Sequence, residues 1–415
     1  MKSVILFYQH AVREFSSIMK LKEILGFKGM HVMVYSIDFE YVNALRFAKK
    51  HLVDVIVTPW MYHQANYEKF VPFIKYSREL IIINLHHEQI SSKFTEELLI
   101  PQSEEAKNNV YHLVWGDFFK LSLLNAGVKS SLIKVTGNMR NDEVFNVQSS
   151  RSDFAEKFNL NMSKIWVLFA DNRNWVNYWS EAEKAERMVM GISETLLEEH
   201  YLLTKNSLEI TISELNNLDK GFFKRFEFIY RPHPGIQIKE GLFPKEVRIL
   251  SERTIYEWLN VVDVNVVWSS TTIFESEVMG IPSIVYEPIE HPDIFKTSGT
   301  DSYYKINKIS DINENVILLA KQMQEKNKNY QMFYGKIDGK ATQRVADAVI
   351  DILNNKDEKM YIAKIIPYSK KAVIRAILFN YVTRLLIFLH LFDIVKYPRS
   401  AWKQKNDIPY YKENI

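Results

Sequence analysis

The chain contains no cysteine in its 415 residues. That excludes disulfides, thiolate metal sites and a cysteine nucleophile. Glycine and proline are sparse, at 13 and 12, which excludes collagenous and linker-like sequence. No uninterrupted apolar run reaches the ~20 residues of a bilayer-spanning helix. The opening run Val4-Ile5-Leu6-Phe7-Tyr8 is too short for a signal peptide, so the expected location is the cytoplasm. An excess of one charge is missing too. Lys+Arg number 53 and Asp+Glu 50, a net of +3, and nothing global asks for a nucleic-acid partner. What is present is 47% hydrophobic and 13% aromatic residues, enough for a large core, and a length that points to two domains. There is no internal repeat and no low-complexity segment.

The most informative stretch runs from Phe226 to Pro288. Phe226 to Tyr230 reads as a strand that ends in Arg231-Pro232-His233-Pro234-Gly235. Asp263 to Trp268 is a second strand, halted by Ser269-Ser270-Thr271-Thr272. A helical pattern from Ile273 to Met279 stops at Gly280, and Ser283 to Glu287 is a third strand. Strand, helix, strand with hydroxyls at the first junction is a βαβ unit. A helix start offers unpaired N–H groups and a favourable dipole for an anion, and the hydroxyls add donors. The same residue types also serve as ordinary N-caps. Arg231 and His233, at another strand end in a turn stiffened by two prolines, tilt the reading towards phosphate binding.

Elsewhere strands alternate with helices, as in a parallel sheet. The first half shows strands at Val4–Tyr8, His31–Tyr35, Val53–Thr58, Leu80–Leu85, Tyr111–Trp115 and Ile133–Thr136. A second series opens at Ile165–Ala170 and ends in Asp171-Asn172-Arg173-Asn174-Trp175. The expected architecture is α/β of GT-B type: two Rossmann-like domains facing across a cleft, with a C-terminal amphipathic tail. Residues 1–150 form the acceptor domain, 151–355 the nucleotide-donor domain and 356–415 the tail. Within 356–415 there are twelve Lys or Arg against five Asp or Glu, a net of +7, leaving −4 for the remainder of a +3 chain.

Several motifs carry a family resemblance. Arg231-Pro232-His233-Pro234, Ser269-Ser270-Thr271 and Gly280-Ile281-Pro282 resemble the His-Pro and Ser-Ser motifs of bacterial surface-polysaccharide transferases, polysialyl and Kdo transferases among them. Gly137-Asn138-Met139-Arg140-Asn141-Asp142 resembles a stretch of teichoic-acid glycerophosphotransferases, with Met139 where proline is usual. Asp338-Gly339-Lys340-Ala341 is similar to that family's closing motif. Arg13-Glu14-Phe15 and Leu85-His86-His87-Glu88-Gln89 resemble surface carbohydrate biosynthesis proteins, with Gln89 in place of a usual glycine. The resemblance spans about Met1 to Asn354. It implies a metal-independent GT-B enzyme with no cofactor, using a nucleotide-activated donor, CMP- or CDP-linked.

The candidate residues follow. Arg231, His233, Ser269, Ser270 and Thr271 would bind donor phosphate, stabilising the leaving nucleotide as charge develops. Arg231 serves equally well as a structural residue. Arg173 could reach a phosphate or lie on the surface, and Glu287 could hold ribose or base. Arg13 and Glu14 would contact the acceptor, or form a salt-bridged loop. An acceptor hydroxyl needs a base, and His86, His87 and Glu88 are the candidates. The resemblance favours Glu88 with His86 as companion; the bland alternative is a core histidine beside a solvated glutamate. One tight His-His-Glu cluster lacks the spaced third ligand of a metal site.

The expected function is transfer of a sugar from a nucleotide sugar to a growing glycan or lipid-linked acceptor in surface-polysaccharide synthesis. A polyol-phosphate transferase of teichoic-acid type and a non-catalytic binding protein are the rivals. For the tail, Arg375 and Arg384 interrupt a spanning length, so a helix lying in the headgroup plane at the inner face of the membrane is expected. Packing of that helix back on the first domain is the alternative.

Overall fold

Val4 to Tyr8 are apolar without alternation, the pattern of a strand covered on both faces. In the computed structural model they form β1 (Ser3–Tyr8), buried throughout. The structure describes residues 1–77, 79–173, 176, 179–233, 238–239, 241–327, 330–355, 370–397, 405 and 408. The remaining strands are β2 (His31–Ser36), β3 (Val55–Thr58), β4 (Ile81–Asn84), β5 (Tyr111–Val114), β6 (Ile133–Val135), β7 (Ile165–Ala170), β8 (Phe226–Arg231), β9 (Val247–Ile249), β10 (Val264–Val267), β11 (Ser283–Tyr286) and β12 (Tyr304–Ile306). They make two six-stranded sheets, β2-β1-β3-β4-β5-β6 and β12-β11-β10-β7-β8-β9, with all pairings parallel. The helices used below are α1 (Ala11–Phe27), α2 (Tyr41–His51), α3 (Gln64–Ile74), α4 (Glu194–Asn217), α5 (Thr272–Val278), α6 (Ala341–Asn354) and α7 (Lys370–Phe388).

Alternate residues of β1 face opposite sides of the sheet. Val4, Leu6 and Tyr8 share a core with Ile18, Leu21 and Leu25 of α1 and with Val345, Val349 and Ile352 of α6. Ile5 and Phe7 share the other with Phe47 of α2 and Phe70 and Phe73 of α3. The second sheet divides likewise: Val167 and Phe169 face one core, Trp166 and Leu168 the other.

The chain forms two compact units, Met1–Gln89 with Leu98–Glu143 and Met332–Ile415, and Ile90–Glu97 with Val144–Gln331. This differs from the expected division in three places: residues 90–97 fall in the second unit, and both α6 and the tail helix α7 fall in the first. The helix expected to close the donor domain, α6, belongs to the first unit. Its apolar stripe has α1 as its partner, and its N-terminus is held by Asp142. Asp142 Oδ1 accepts from Ala341 N (3.0 Å), and Oδ2 accepts from Thr342 N (2.8 Å) and Thr342 Oγ1 (2.7 Å). Arg344 then donates from Nε to Thr136 O (2.7 Å) and from Nη1 to Asp338 Oδ1 (2.7 Å). The motifs at 137–142 and 338–341 are therefore two halves of one joint. Gly116 is part of the same return: an added Cβ there would collide with the carbonyl oxygens of Met332 and Phe333.

Asp142→Ala removes an acceptor from three buried donors. A helix cap contributes ~1 kcal/mol and each buried donor left unpaired costs ~1–3 kcal/mol, so a destabilisation of about 3 kcal/mol is expected. Denaturant titration measures it, and Asp142→Asn, which keeps one acceptor oxygen, should recover part of the loss.

Candidate active site

In an open parallel sheet, ligands bind beyond the carboxyl ends of the strands, at the point where strand order reverses. In the first sheet that point lies between β1 and β3. A cavity there is lined by Glu14, Pro59, His86, His87, Trp115 and Arg140, among others. These residues follow β1, β3, β4, β5 and β6, so the topology alone assembles them.

His86 is fully buried and has a backbone φ of 50°, a left-handed conformation that costs a non-glycine residue energy and clusters at functional sites. Its ring packs among buried polar partners. His112 Nε2 lies 3.0 Å from the Ala106 carbonyl, which can only accept, so that nitrogen carries the proton. His112 Nδ1 is then an acceptor; His86 Nε2 lies 2.8 Å from it and 3.1 Å from Asn84 Nδ2. Asn84 Oδ1 accepts from the His86 backbone N–H (3.1 Å). Burial holds His86 well below the ordinary histidine range and His112 at about 4. Both rings are neutral and committed to each other.

His87 is placed differently. Its ring is half-buried, and Nδ1 donates to Pro59 O (3.2 Å). That leaves Nε2 as the lone-pair nitrogen of a cavity-lining ring. Burial, with Arg13 and Arg140 nearby, lowers its pKa to about 3. Glu88, the expected base, is partly exposed and paired with Arg13 Nη1 (3.3 Å). Glu14 is 9% exposed; Oε2 accepts from Gln9 N (2.9 Å), and Oε1 has no hydrogen-bond partner among the described residues. Burial raises its carboxyl above the ordinary range, against the pull of the Gln9 N–H and Arg13. The cavity lining thus includes a neutral imidazole with a free lone pair and a carboxyl disposed to keep its proton.

Gln89, which stands where glycine is usual, is buried. Its Nε2 donates to Leu85 O (3.2 Å) and His86 O (3.2 Å), and its Oε1 accepts from Trp115 N (2.7 Å). It stitches the end of β4 to the end of β5, a role glycine could not fill.

In the second sheet the order reverses between β7 and β10. Ser269, Ser270 and Thr271 follow β10 there, and Asn172 follows β7; Asn172 Nδ2 donates to Ser269 O (3.0 Å). Ser269 has φ 46°. Its hydroxyl lies 2.9 Å from Thr297 Oγ1, and Ser270 Oγ accepts from Thr272 N (3.3 Å) at the start of α5. His233 is half-buried two residues beyond β8, next to β7 in the sheet. Pro234 and Gly235 lie outside the described residues, as do Asn174 and Trp175.

Three donor candidates have other partners. Arg231 donates to Ser251 O (3.2 Å) and Arg253 O (2.8 Å), which anchors the loop after β9. Burial lowers it to about 10, against Glu257 and Glu252. Arg173 is 2% exposed, so the surface reading fails. Its Nε donates to Asp171 Oδ1 (2.6 Å) and its Nη1 to Ser207 O (2.9 Å) and Thr211 Oγ1 (2.5 Å) of α4. The guanidinium thus has an interior partner in the Asp171 carboxylate, which also accepts from the Tyr230 hydroxyl. Glu287 accepts from His291 N (3.0 Å) and lies 3.0 Å from His291 Nδ1 and 3.5 Å from Lys305 Nζ. Burial would raise it, but these partners bring it to about 2.

Sequence reasoning gave no role to Arg140, whose guanidinium lies 5.1 Å from the Trp115 ring centre, nor to Asn138, whose buried Nδ2 has no partner among the described residues. Both stand in the motif after β6, which was readable as a cavity wall from strand-end logic alone. Asn172 could have been found the same way.

No family model and no curated protein matches the sequence. Solved structures do match in shape. The wall teichoic acid polymerase TagF aligns with a TM-score of 0.55 at 12% identity, over 86% of this chain and 90% of that one. S. aureus MnaA, solved with UDP, gives 0.52 at 12%, over 86% and 99%. A Listeria monocytogenes protein described as a UDP-N-acetylglucosamine 2-epimerase gives 0.52 at 13%, over 88% and 100%. The chain therefore has the GT-B type of fold, built from two Rossmann-like units.

Proposed function

We propose that this chain is a glycosyltransferase of bacterial surface-polysaccharide synthesis, acting at the inner face of the cell membrane. The first unit takes the hydroxyl of a glycan acceptor and the second binds a nucleotide-activated sugar. The observation that carries the acceptor half is the His87 ring, with Nδ1 tied to Pro59 O and Nε2 left to the cavity. In the step, the acceptor O–H gives its proton to His87 Nε2 and the oxygen bonds to the anomeric carbon. The bond from that carbon to the phosphate oxygen breaks, and the nucleotide leaves with the electron pair. The Ser269 and Ser270 hydroxyls and His233 would receive its charge. Glu88 would position Arg13 rather than act as base. That MnaA was solved with UDP supports a nucleotide in a chain of this shape.

Transfer of a polyol phosphate is the second reading, favoured by the joint between the 137–142 and 338–341 motifs and by the likeness to the teichoic acid polymerase. One experiment separates them. Incubation with CMP-, CDP-, UDP- and GDP-linked donors and a glycan acceptor should release nucleotide from one class, with sugar incorporated. Incorporation of polyol phosphate selects the second reading, and no release from any donor selects a non-catalytic binding protein. A Ser269→Ala/Ser270→Ala variant should lower turnover about 100-fold or more. Chelator should leave turnover unchanged; inhibition would refute metal independence.

A further inference from the structure

The long helix near the C-terminus has two dissimilar faces. One face of α7 packs on the first unit: Ala376 and Ile377 join the core beneath α2 and α3. Asn380 Nδ2 donates to Asp38 O (3.4 Å) and Arg384 Nε to Phe39 O (3.2 Å), and Thr383 is fully buried. Asp38 and Phe39 follow β2, so α7 crosses the same carboxyl edge of the sheet where the cavity lies. The packing reading of the tail thus describes one face only. On the other, Ile374, Leu378, Tyr381, Leu385 and Phe388 recur every three or four residues, which puts them in one stripe, and all are 49–78% exposed. The apolar surface continues past the helix through Leu389, Ile394 and Val395. Monomeric proteins rarely leave such a patch without a use.

Charge selects the occupant. Residues 359–392 contain no Asp or Glu, while Lys370, Lys371 and the exposed Arg375 fall within them; Arg384 is turned inward to Phe39 O, and Asp393, just past them, is paired with Lys405. A second copy docked through this stripe would face a segment of the same sign, without the acidic partners that specify helix pairing. Anionic headgroups complement it, and basic residues near such a surface contribute ~1 kcal/mol each. Among the described residues no helix is long and apolar enough to cross a membrane, so the stripe would lie in the interface plane. Trp402, Tyr410 and Tyr411, residue types that suit such an interface, lie outside the described residues.

We propose that the outer face of α7, through Ile374, Leu378, Tyr381, Leu385 and Phe388, seats the protein on the interfacial layer of an anionic bilayer. This is independent of which donor the enzyme uses. Flotation of the full chain with vesicles of phosphatidylcholine alone, or with phosphatidylglycerol added, tests it. The wild type should float with anionic vesicles, less at high salt, and poorly with neutral ones. A Leu378→Gln/Leu385→Gln/Phe388→Ser variant should bind at least ~10-fold more weakly, because both the apolar and the charge attraction are needed for stable seating. Its melting temperature and its nucleotide release in detergent-free solution should match the wild type, which separates lost docking from lost fold and from lost donor use. Equal flotation of variant and wild type overturns the proposal. So does a wild type that ignores vesicles but sediments as a dimer which the variant dissolves, the result expected if a second copy covers the stripe.

Discussion

Replacing His87 by alanine is expected to lower turnover by ~10²–10⁴-fold, the usual contribution of a positioned general base, with little change in melting temperature. The expectation rests on hydrogen-bond direction. Pro59 O can only accept, so Nδ1 carries the proton and Nε2 presents its lone pair. Glu88→Gln should cost far less, because the carboxylate is engaged with Arg13 and partly exposed to water. His86→Ala should lose stability before it loses chemistry, since it breaks the buried bonds to Asn84 and His112. Melting curves for all three variants therefore have to accompany the kinetics. The pH dependence supplies a second readout. A base works only when unprotonated, and His87 has a pKa of about 3 in the folded protein. Activity should then persist as pH falls through 6.5, the ordinary histidine value, and the acid limb of kcat/KM should not appear at that pH. A limb at 6.5 that vanishes in another histidine variant would move the base elsewhere. Full activity of His87→Ala together with an inactive, well-folded Glu88→Gln would restore Glu88 as the base.

The strands that carry the two cores were legible because fully buried parallel strands are continuous apolar runs. Val4–Tyr8, Ile165–Ala170 and Phe226–Tyr230 have no alternative periodicity. The two strands that escaped notice, β9 and β12, are three residues long and lie at the edges of the second sheet. Edge strands are half-solvated, and Val247-Arg248-Ile249 and Tyr304-Lys305-Ile306 show it in their charged centres. No local pattern distinguishes them from loops. The placement of α6 was illegible for another reason. Its partners, Asp142 and the apolar face of α1, are far away in sequence, and nothing in its own residues says which unit supplies them.

The candidate site was legible in its positions and less so in its roles. Residues after strands 1 and 4 of the first half, and after strands 1, 2, 4 and 5 of the second, were singled out because strand ends face ligands; the first sheet reverses between its strands 1 and 3 and the second between its strands 1 and 4. Roles depend on hydrogen-bond partners, which sequence does not print. His86 and His87 are adjacent and chemically identical, yet one is closed off by His112 and the other left with a lone pair. Arg231 and Arg173 both looked like phosphate ligands; one holds carbonyls of a loop, the other a buried aspartate.

Arg173→Met is expected to destabilise the protein by ~3–5 kcal/mol, the range for removing one partner of a buried ion pair. The loss has a specific source. Without the guanidinium, the Asp171 carboxylate keeps the Tyr230 hydroxyl but loses its cation, and Ser207 O and Thr211 Oγ1 lose their donor. Burial lowers the arginine's pKa, but Asp171 together with Tyr230 and Tyr286 outweighs it, so the pKa is raised; the pair depends on both members. Asp171→Asn should therefore also destabilise, and the double variant should lose less than the two single losses added together, since the second change removes a charge the first left uncompensated. Denaturant titration of the three variants measures that coupling. One feature keeps a ligand role open to test: Arg173 Nη2 is buried without a partner among the described residues. A donor contact through that nitrogen would appear as a donor KM raised about tenfold or more in Arg173→Lys at conditions where the variant is fully folded. An unchanged melting curve for Arg173→Met with such a KM shift would mean that the residue serves the donor and not the core.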